Sequence, residues 1–299
     1  MSGAGRFAPT PSADLHIGNL RTGLLAWLFA RSTGRSFLMR IEDLDRERCD
    51  PAIAERQLAD LASLGIEWDG PVETQSEHSD RCESALAILE REGLTYPCFC
   101  TRAERATQAP HGSPGRYSGR CRELSREEHA RLLAEGRRPS LRARVGGQPV
   151  AWDDLVLGPT SGLSDDPIVR RADGVFAYNL AVVVDDAAAG VDQVVRGDDL
   201  TDSVPVQAAL CDALGLPRPQ WAHVPLVLGE DGERLAKRGG GVTLAQRLEQ
   251  GQGPDRVLAL LGSSLGLCAQ EDAVSAADLL GRFDPASLPR EAWVLPQAP

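Results

Sequence analysis

RFAPTPSADLHIGNLRTGLLAWLFARSTGRSFLMRIED, residues 6–43, contains three segments with different hydrophobic patterns. The first predicts a short strand that breaks into a proline-rich turn, and the second predicts an amphipathic helix that ends near Thr33 and Gly34. SFLMRI then predicts a buried strand that ends in the carboxylates of Glu42 and Asp43. The order strand, helix, strand indicates a parallel α/β sheet.

The residues that follow continue this pattern with two helices. Asp50 and Pro51 are typical of an N-cap and a first helical turn, and Gly65 ends the apolar period that they open. A second helix is expected from about Asp80 to Glu92. The order strand, helix, strand, helix, helix therefore points to a parallel α/β sheet.

Composition limits the class of protein. The chain has 299 residues, of which 42% are hydrophobic and 25% charged, and a formal net charge of −11. This is the composition of an ordinary globular protein, and the acidic total argues against general nucleic-acid binding. The N-terminus carries no basic segment followed by an apolar run, and no apolar stretch is long enough to cross a bilayer. We therefore expect a cytoplasmic protein without membrane contact.

A cluster of cysteines in the middle of the chain points to a metal. Cys98, Cys100 and Cys121 lie in a Gly-, Pro- and Arg-rich segment without periodicity. In a chain without a secretion signal, such spacing favours a metal site over disulfides, and three reduced thiols without metal are the alternative. His111 and Tyr117 are both available as a fourth ligand, and ligand chemistry alone favours the imidazole of His111.

The second half of the chain has its own predictions. Residues 167–186, PIVRRADGVFAYNLAVVVDD, predict a return to strand with a turn at Asp173–Gly174. Thr201 is expected to cap a helix over about residues 202–215. After Gly241 the pattern is helical throughout.

HIGN, residues 16–19, lies where a loop enters the first helix. Unpaired backbone amides and the helix dipole favour a phosphate at such a position. Gly18 lets a nucleotide approach the backbone, and His16 can donate to phosphate oxygens. A surface histidine at an ordinary helix start is the alternative, because a four-residue motif carries little information by itself.

Lys237 is the only lysine in the sequence, and it precedes three glycines. Lysine is a compact charge on a flexible stem, so it can follow a phosphate whose charge moves during reaction, whereas arginine prefers a fixed bidentate geometry. A glycine-rich segment that carries one lysine suits closure over a triphosphate. An incidental surface lysine is the alternative.

Together these motifs resemble a known family. Residues 9–19 and RLAKR, residues 234–238, resemble the two ATP-binding motifs of class I aminoacyl-tRNA synthetases. The longer patterns over residues 6–48 and 176–200 resemble the glutamyl-tRNA synthetase family. Asn19 stands where that family usually has histidine. The resemblance covers nearly the whole chain.

The resemblance implies the residues of the sites. It implies a glutamate pocket formed by Arg6, Thr10, Glu42, Tyr178 and Arg196. It implies an ATP site formed by His16, Gly18, Asn19 and Lys237, of which His16, Gly18 and Lys237 have catalytic roles. It also implies a zinc site formed by Cys98, Cys100, Tyr117 and Cys121. The chemistry of these residues is compatible with those roles, because guanidinium groups pair with carboxylates and a carboxylate holds an ammonium. It also implies Mg²⁺ bound with ATP.

The chain is short for a glutamyl-tRNA synthetase, since only 61 residues follow Arg238. It resembles instead the glutamyl-Q tRNA(Asp) synthetases, which activate L-glutamate with ATP and attach it to queuosine at the wobble position of tRNA(Asp). A truncated glutamyl-tRNA synthetase that charges tRNA(Glu) and a non-catalytic adaptor that binds tRNA or a nucleotide are the alternatives. A monomer is expected.

The expected fold is a Rossmann-like catalytic domain with an inserted zinc-bearing subdomain and a short C-terminal helical domain. The two halves of the catalytic domain are expected at residues 1–95 and 141–241, and the zinc-bearing insertion at 96–140. Residues 242–299 would form the helical domain, without an anticodon-binding domain.

Overall fold

A computed structural model describes residues 3–101, 104, 117–235 and 242–296 of the chain. The strands are β1 Ala4–Phe7, β2 Ser36–Ile41, β3 Glu73–Thr74, β4 Thr95–Cys98, β5 Ser140–Ala143, β6 Pro149–Asp154, β7 Gly158–Leu163, β8 Ile168–Arg170, β9 Val191–Gly197, β10 Gln220–Val224, β11 Val227–Leu228 and β12 Trp293–Val294. The helices are α1 Ile17–Ser32, α2 Pro51–Ser63, α3 Ser79–Arg91, α4 Arg126–Ala134, α5 Tyr178–Ala188, α6 Val204–Leu214, α7 Leu244–Glu249, α8 Pro254–Ser264 and α9 Ala276–Arg282, with 3-10 turns at Gln75–His78, Asp198–Ser203 and Pro285–Ser287.

A five-stranded parallel sheet forms the centre of the fold, which confirms the predicted α/β class. Its order is β10-β9-β1-β2-β3, so that β1 lies between β2 and β9. After β1, the chain first adds β2 and β3 on one side of it and later adds β9 and β10 on the other side. The carboxyl end of β1 is therefore a topological switch point, where open α/β sheets bind their ligands.

Helix α1 differs from its prediction. Twelve of its 16 residues are buried, including Arg21, so the helix is not amphipathic. The reason is that α1 is covered on more than one side, by β1, β2 and β9 of the sheet and by α9. A helix that is enclosed in this way keeps apolar residues around most of its circumference.

The two helices predicted after β2 are confirmed. Asp50 caps α2, because its Oδ1 accepts a hydrogen bond from the backbone N–H of Ala52 at 2.9 Å, and Pro51 occupies the first turn. Gly65 has a φ of +75° just beyond the end of this helix, a conformation that glycine adopts without strain.

The prediction of strand over residues 167–186 is wrong in its second half. Strand β8 and the turn that ends at Gly174 are present, but Tyr178–Ala188 is a helix. The run of valines at 182–184 favours a strand locally. Its tertiary contacts with α3, α6, β8 and β9 bury the helix, and they override that preference.

Two further expectations are corrected. Thr201 does not cap a helix: it lies inside a 3-10 turn, and its hydroxyl donates to the carbonyl of Asp198 at 2.6 Å. Helix α6 begins after it, with Pro205 in the first turn, a position where proline needs no N–H partner. The chain after Gly241 is not purely helical, because β12 pairs with β11.

Smaller sheets and the C-terminal helices surround the central sheet. Strands β4, β5 and β8 form an antiparallel sheet, and β6 and β7 form a hairpin. The apolar side chains of α8 and α9 belong to the same hydrophobic core as those of α1. In the described part of the chain, no helix combines the length and the apolar character that a membrane span requires.

Candidate active site

A cavity of about 600 Å³ opens at the carboxyl ends of β1, β2 and β9. This volume lies within the range of sites for small molecules. Eight residues that were singled out from the sequence line it: Arg6, Thr10, His16, Gly18, Asn19, Glu42, Tyr178 and Arg196. The structure therefore brings together all of the predicted ATP and glutamate residues that it describes. Lys237 lies outside the described residues.

His16 is the N-cap of α1, a role that the sequence did not indicate. Its Nδ1 accepts a hydrogen bond from the backbone N–H of Asn19 at 3.2 Å. The Oδ1 of Asn19 accepts in return from the backbone N–H of His16 at 3.4 Å. This reciprocal capping box fixes the imidazole at the helix N-terminus, where the helix dipole is positive. The capping box also gives a structural reason for the presence of asparagine at position 19, where the family usually has histidine.

Arg6 and Glu42 are held by two residues that the sequence analysis missed. Asp186 accepts from Nε and Nη2 of Arg6, each at 3.2 Å, and its Oδ1 lies 2.7 Å from Nη1 of Arg40. Nη2 of Arg40 donates to Glu42 at 3.1 Å. Burial raises the pKa of Glu42 against the opposing charges of Arg40 and Arg6. Although burial opposes it, those two arginines lower the pKa of Asp186.

Arg196 carries a buried charge that no carboxylate of the described residues balances directly. Its Nε donates to Nε2 of His223 at 3.1 Å, its Nη1 to Gln207 at 2.9 Å and its Nη2 to the carbonyl of Leu200 at 3.2 Å. Burial lowers its pKa. Among the described residues that line the cavity, it is the one arginine without an ion pair, since Arg6 pairs with Asp186 and Arg234 with Asp199. The cavity thus offers a buried cation to an anionic ligand.

Tyr178 and Thr10 are the remaining residues of the predicted glutamate pocket, and both line the cavity. Tyr178 is the first residue of α5 and is 38% exposed, although burial of its hydroxyl and the charge of Glu42 raise its pKa. The carbonyl of Thr10 accepts a hydrogen bond from Gln57 at 3.2 Å. Gln57 also donates to Ala13 at 2.7 Å, so one buried amide of α2 fixes the loop that follows β1.

The segment before Lys237 also reaches the cavity. Arg234 and Leu235 line it, and the guanidinium of Arg234 forms an ion pair with Asp199.

The three predicted cysteine ligands are also brought together. The sulfurs of Cys98, Cys100 and Cys121 all lie within 4.8 Å of one another, so they could hold a metal ion. The hydroxyl of Tyr117 lies 3.5 Å from Cys98 Sγ and accepts from the backbone N–H of Cys121 at 2.8 Å. His111, the alternative ligand, lies outside the described residues.

The surroundings of the cluster fit a negatively charged metal centre. The guanidinium of Arg142 is buried and lies 3.6 Å from the centre of the Tyr117 ring. Its Nη1 donates to the backbone carbonyl of Asp166, and in the described ranges no carboxylate forms an ion pair with it. Thiolates and a phenolate are therefore suitable counter-charges. Burial raises the pKa of Cys98, but its hydrogen bonds with Tyr117 and Arg142 outweigh burial and lower the pKa. Burial and the neighbouring sulfurs raise the pKa of Cys100 to about 12.

Two of the residues that were missed had a visible signal. Arg40 and Asp186 are charged residues inside the apolar runs FLMRI and LAVVVDD. A charge in a buried run requires a partner, because an unpaired buried charge is costly. The sequence does not reveal which partner, since these two residues are joined only in the tertiary structure.

This fold and this site define a class I tRNA synthetase catalytic domain. The family model described as tRNA synthetases class I (E and Q), catalytic domain, matches residues 4–274. The chain is also similar to a solved glutamate tRNA ligase from Elizabethkingia meningosepticum in complex with its amino acid. The TM-score is 0.81 at 25% identity, over 99% of this chain and 67% of that one.

Two curated relatives narrow the family to which the chain belongs. The chain is 56% identical to a glutamyl-Q tRNA(Asp) synthetase of Nocardia farcinica, over 99% of this chain and 94% of the relative. It is 47% identical to a protein of the same name from Symbiobacterium thermophilum, over 98% and 95% respectively. The chain belongs to the glutamyl-Q tRNA(Asp) synthetases, within the class I (E and Q) family, which confirms the resemblance.

Proposed function

We propose that this protein activates L-glutamate with ATP and transfers the glutamyl group to queuosine at the wobble position of tRNA(Asp). The observation that carries the proposal is the cavity at the switch point, which Arg196 lines together with Glu42 and Tyr178. Among the residues that the structure describes, no carboxylate pairs directly with Arg196. The family name of the relatives supports the choice of acceptor.

The charges of the pocket fit glutamate. At neutral pH glutamate has two carboxylates and one ammonium, a net charge of about −1. In the proposed complex one carboxylate pairs with Arg196, and Glu42 accepts the ammonium. Arg6, which Asp186 fixes from one side, and the hydroxyls of Thr10 and Tyr178 provide further polar contacts. Buried charges gain most from a partner that matches their geometry.

ATP is proposed to bind at the N-terminus of α1. The cap formed by His16 and Asn19 lies on this end, and Gly18 lines the cavity beside it. The positive end of the helix dipole favours phosphate there. Lys237 would approach from the segment after Leu235, and Mg²⁺ would come bound to the phosphates of ATP and neutralise part of their charge.

The proposed chemistry has two steps. An α-carboxylate oxygen of glutamate attacks the α-phosphorus of ATP, and pyrophosphate leaves, so a glutamyl adenylate forms. A hydroxyl of queuosine then attacks the glutamyl carbonyl, loses its proton, and AMP leaves as the ester forms. In the first step the protein positions the reactants and stabilises charge on the phosphates, which is the expected role of His16, Gly18 and Lys237.

The metal site is proposed to hold one Zn²⁺ through Cys98, Cys100, Tyr117 and Cys121. Four protein ligands without an open position are typical of structural zinc. The metal would fix the segment around residues 117–121 against β4. We propose no part for it in the reaction. A cytoplasmic, monomeric protein remains the prediction for its cellular state.

The proposal is tested by separating activation from transfer. The purified protein should catalyse glutamate-dependent exchange of pyrophosphate into ATP without tRNA. It should then transfer labelled glutamate to tRNA(Asp) that carries queuosine, and not to the same tRNA with guanosine. Because the acceptor is not the 3′ end, removal of the terminal adenosine should leave transfer intact. Charging of tRNA(Glu) at its terminal adenosine would overturn the assignment, and absence of exchange would favour an adaptor.

The role of Lys237 is tested in the exchange assay. Lys237→Ala should lower the rate at least about 100-fold, which is the scale for loss of a charge-stabilising donor. Lys237→Arg should also be impaired, because the planar guanidinium cannot follow the phosphate in the same way. Near-normal exchange by the alanine variant would reject this role.

A further inference from the structure

A buried chain of hydrogen bonds leads from Arg196 to Asp154 through His223. Nε of Arg196 donates to Nε2 of His223 at 3.1 Å, and Nδ1 of His223 lies 2.5 Å from Oδ2 of Asp154. His223 is on β10 and Asp154 is the last residue of β6. Both side chains are fully buried, and neither lines the cavity.

The contacts fix the tautomer of the imidazole. Because Nε2 accepts from Arg196, it carries no proton, so the proton of the neutral ring is on Nδ1 and is donated to Asp154. The other oxygen of Asp154 accepts from the backbone N–H groups of Val156, Leu157 and His223 at 3.0–3.1 Å. The carboxylate is therefore immobile, and it dictates which nitrogen of His223 faces Arg196.

The arrangement also places an imidazole between a buried cation and a fixed carboxylate. Asp154 balances part of the charge of Arg196 across one imidazole, whereas a direct salt bridge would occupy the guanidinium. Arg6 shows the contrast, because Asp186 accepts from two of its nitrogens. Arg196 is thus held firmly while its charge stays available to a ligand in the cavity.

We propose that Asp154 and His223 are positioning residues for glutamate binding, acting through Arg196. This inference rests on the proposed function, in which Arg196 receives a carboxylate of glutamate. Neither residue touches the substrate. If the proton of His223 moved to Nε2, two N–H groups would face each other, one on Nε2 of His223 and one on Nε of Arg196. The guanidinium would then turn away from its binding position.

The test uses substitutions that keep the shape of the site. In Asp154→Asn, the remaining oxygen can still accept the three backbone hydrogen bonds, but the amide nitrogen faces Nδ1 of His223 and favours the wrong tautomer. His223→Leu removes the acceptor of Arg196. His223→Gln is the matched rescue variant, because its carbonyl oxygen can take the place of Nε2 as an acceptor.

The measurement is glutamate-dependent pyrophosphate exchange, with KM determined separately for glutamate and ATP. Asp154→Asn and His223→Leu should raise the KM for glutamate about tenfold or more, which corresponds to one unsatisfied buried group. The KM for ATP should change less than about twofold. His223→Gln should recover most of the affinity that His223→Leu loses. A substitution that only weakened the fold would not raise the KM for glutamate while leaving the KM for ATP nearly unchanged.

A double-variant cycle decides between this inference and the proposed function. In an Arg196→Gln background, Asp154→Asn should cause no further rise in the KM for glutamate. If Arg196→Gln raises that KM but Asp154→Asn and His223→Leu do not, the inference is overturned and the proposed function stands. If Arg196→Gln itself leaves the KM unchanged, the glutamate role of Arg196 fails, and the inference fails with it. Should Asp154→Asn not fold, the comparison of His223→Leu with His223→Gln gives the same decision.

Discussion

Gly18 has little room for a side chain at the start of α1. A Cβ at this position would lie 2.9 Å from Cε1 of His16 and 3.3 Å from Cβ of Val227. The first distance is too short for a carbon contact, so the imidazole would have to move. The absence of a side chain at Gly18 is therefore what allows His16 to fold back as the cap.

We expect Gly18→Ala to lower glutamate-dependent exchange at least about tenfold, because displaced catalytic groups lose positioning. It should also lower the free energy of unfolding by about 1 kcal/mol through loss of the cap. Exchange kinetics and urea denaturation measure the two effects.

Gly23→Ala is the matched control for this variant. Gly23 is in the same helix. A Cβ there would have the flexible end of Leu61 as its nearest contact at 3.1 Å, and the ring of Phe7 would lie at an ordinary contact distance of 3.5 Å. It should keep its exchange activity. Equal loss of activity in both variants would mean that the effect belongs to the helix and not to His16.

The sequence predicted individual site residues better than their partners. The motif residues His16, Gly18, Glu42 and Arg196 all line the cavity. The contacts that Asp186 and His223 make with them could not be predicted, because each contact joins segments that are far apart in the chain. A motif records what touches the ligand, whereas the supporting contacts depend on how the elements pack.

At the scale of elements, the largest error concerned α5. A run of valines and alanines has no clear period, so a buried strand and a buried helix are equally compatible with it. The error matters for the site, since the helix places Tyr178 at its first residue and Asp186 two turns later. A strand at the same position would have sent alternate side chains to opposite faces.

Asp186 on α5 should make the protein sensitive to acid. Its pKa is lowered in the folded state, so its stabilising contribution is complete above the unfolded value of about 3.9 and is lost as pH falls below it. Asp186→Asn leaves Arg6 and Arg40 without this partner and should cost about 3 kcal/mol of unfolding free energy at pH 7. Denaturant unfolding at pH 7, 5 and 3 should show the difference from the unchanged protein shrinking toward pH 3.

Asp212→Asn provides a surface control for this experiment. Asp212 pairs with Arg218, but the two side chains are 55% and 38% exposed. The expected loss is below about 1 kcal/mol at every pH. A loss from Asp186→Asn that stayed constant between pH 7 and pH 3 would contradict the assigned ionisation.

The cysteine cluster joins the end of β4 to the segment at residues 117–121, and it should contain one zinc per chain. Cys98→Ser and Cys121→Ser should lose the metal, as measured by elemental analysis, and should unfold at lower denaturant concentration. Tyr117→Phe should weaken zinc retention against a chelator, while His111→Ala should not. Loss of zinc in His111→Ala but not in Tyr117→Phe would identify the imidazole as the fourth ligand.

At the scale of the whole molecule, the C-terminal helices and the catalytic sheet share α1. Phe283, just after α9, packs edge-on against Phe29 of α1 with ring centres 5.2 Å apart. Leu279 is fully buried in the same core. The predicted domain boundaries remain predictions, but this packing couples the end of the chain to the helix that carries His16.

We therefore expect Leu279→Ala to lower the free energy of unfolding by about 2–5 kcal/mol, the range for a buried leucine. Unfolding should remain one transition, with activity and helical circular dichroism lost together. Leu248→Ala is the control, because Leu248 is 44% exposed, and it should change stability by less than about 0.5 kcal/mol. Two separate transitions would show that the C-terminal helices fold independently.

The central position of β1 has a consequence for biosynthesis. Arg6 on β1 is in register with Val194 on β9, 188 residues later in the chain. At about 5–20 residues per second, a ribosome needs roughly 10–40 s to make that interval. Throughout it the edge of β1 that will face β9 has no strand beside it, and such edges attract other chains. The cavity acquires Arg196 only after residue 196 has been made, so until then that edge of β1 is open to pairing with other chains.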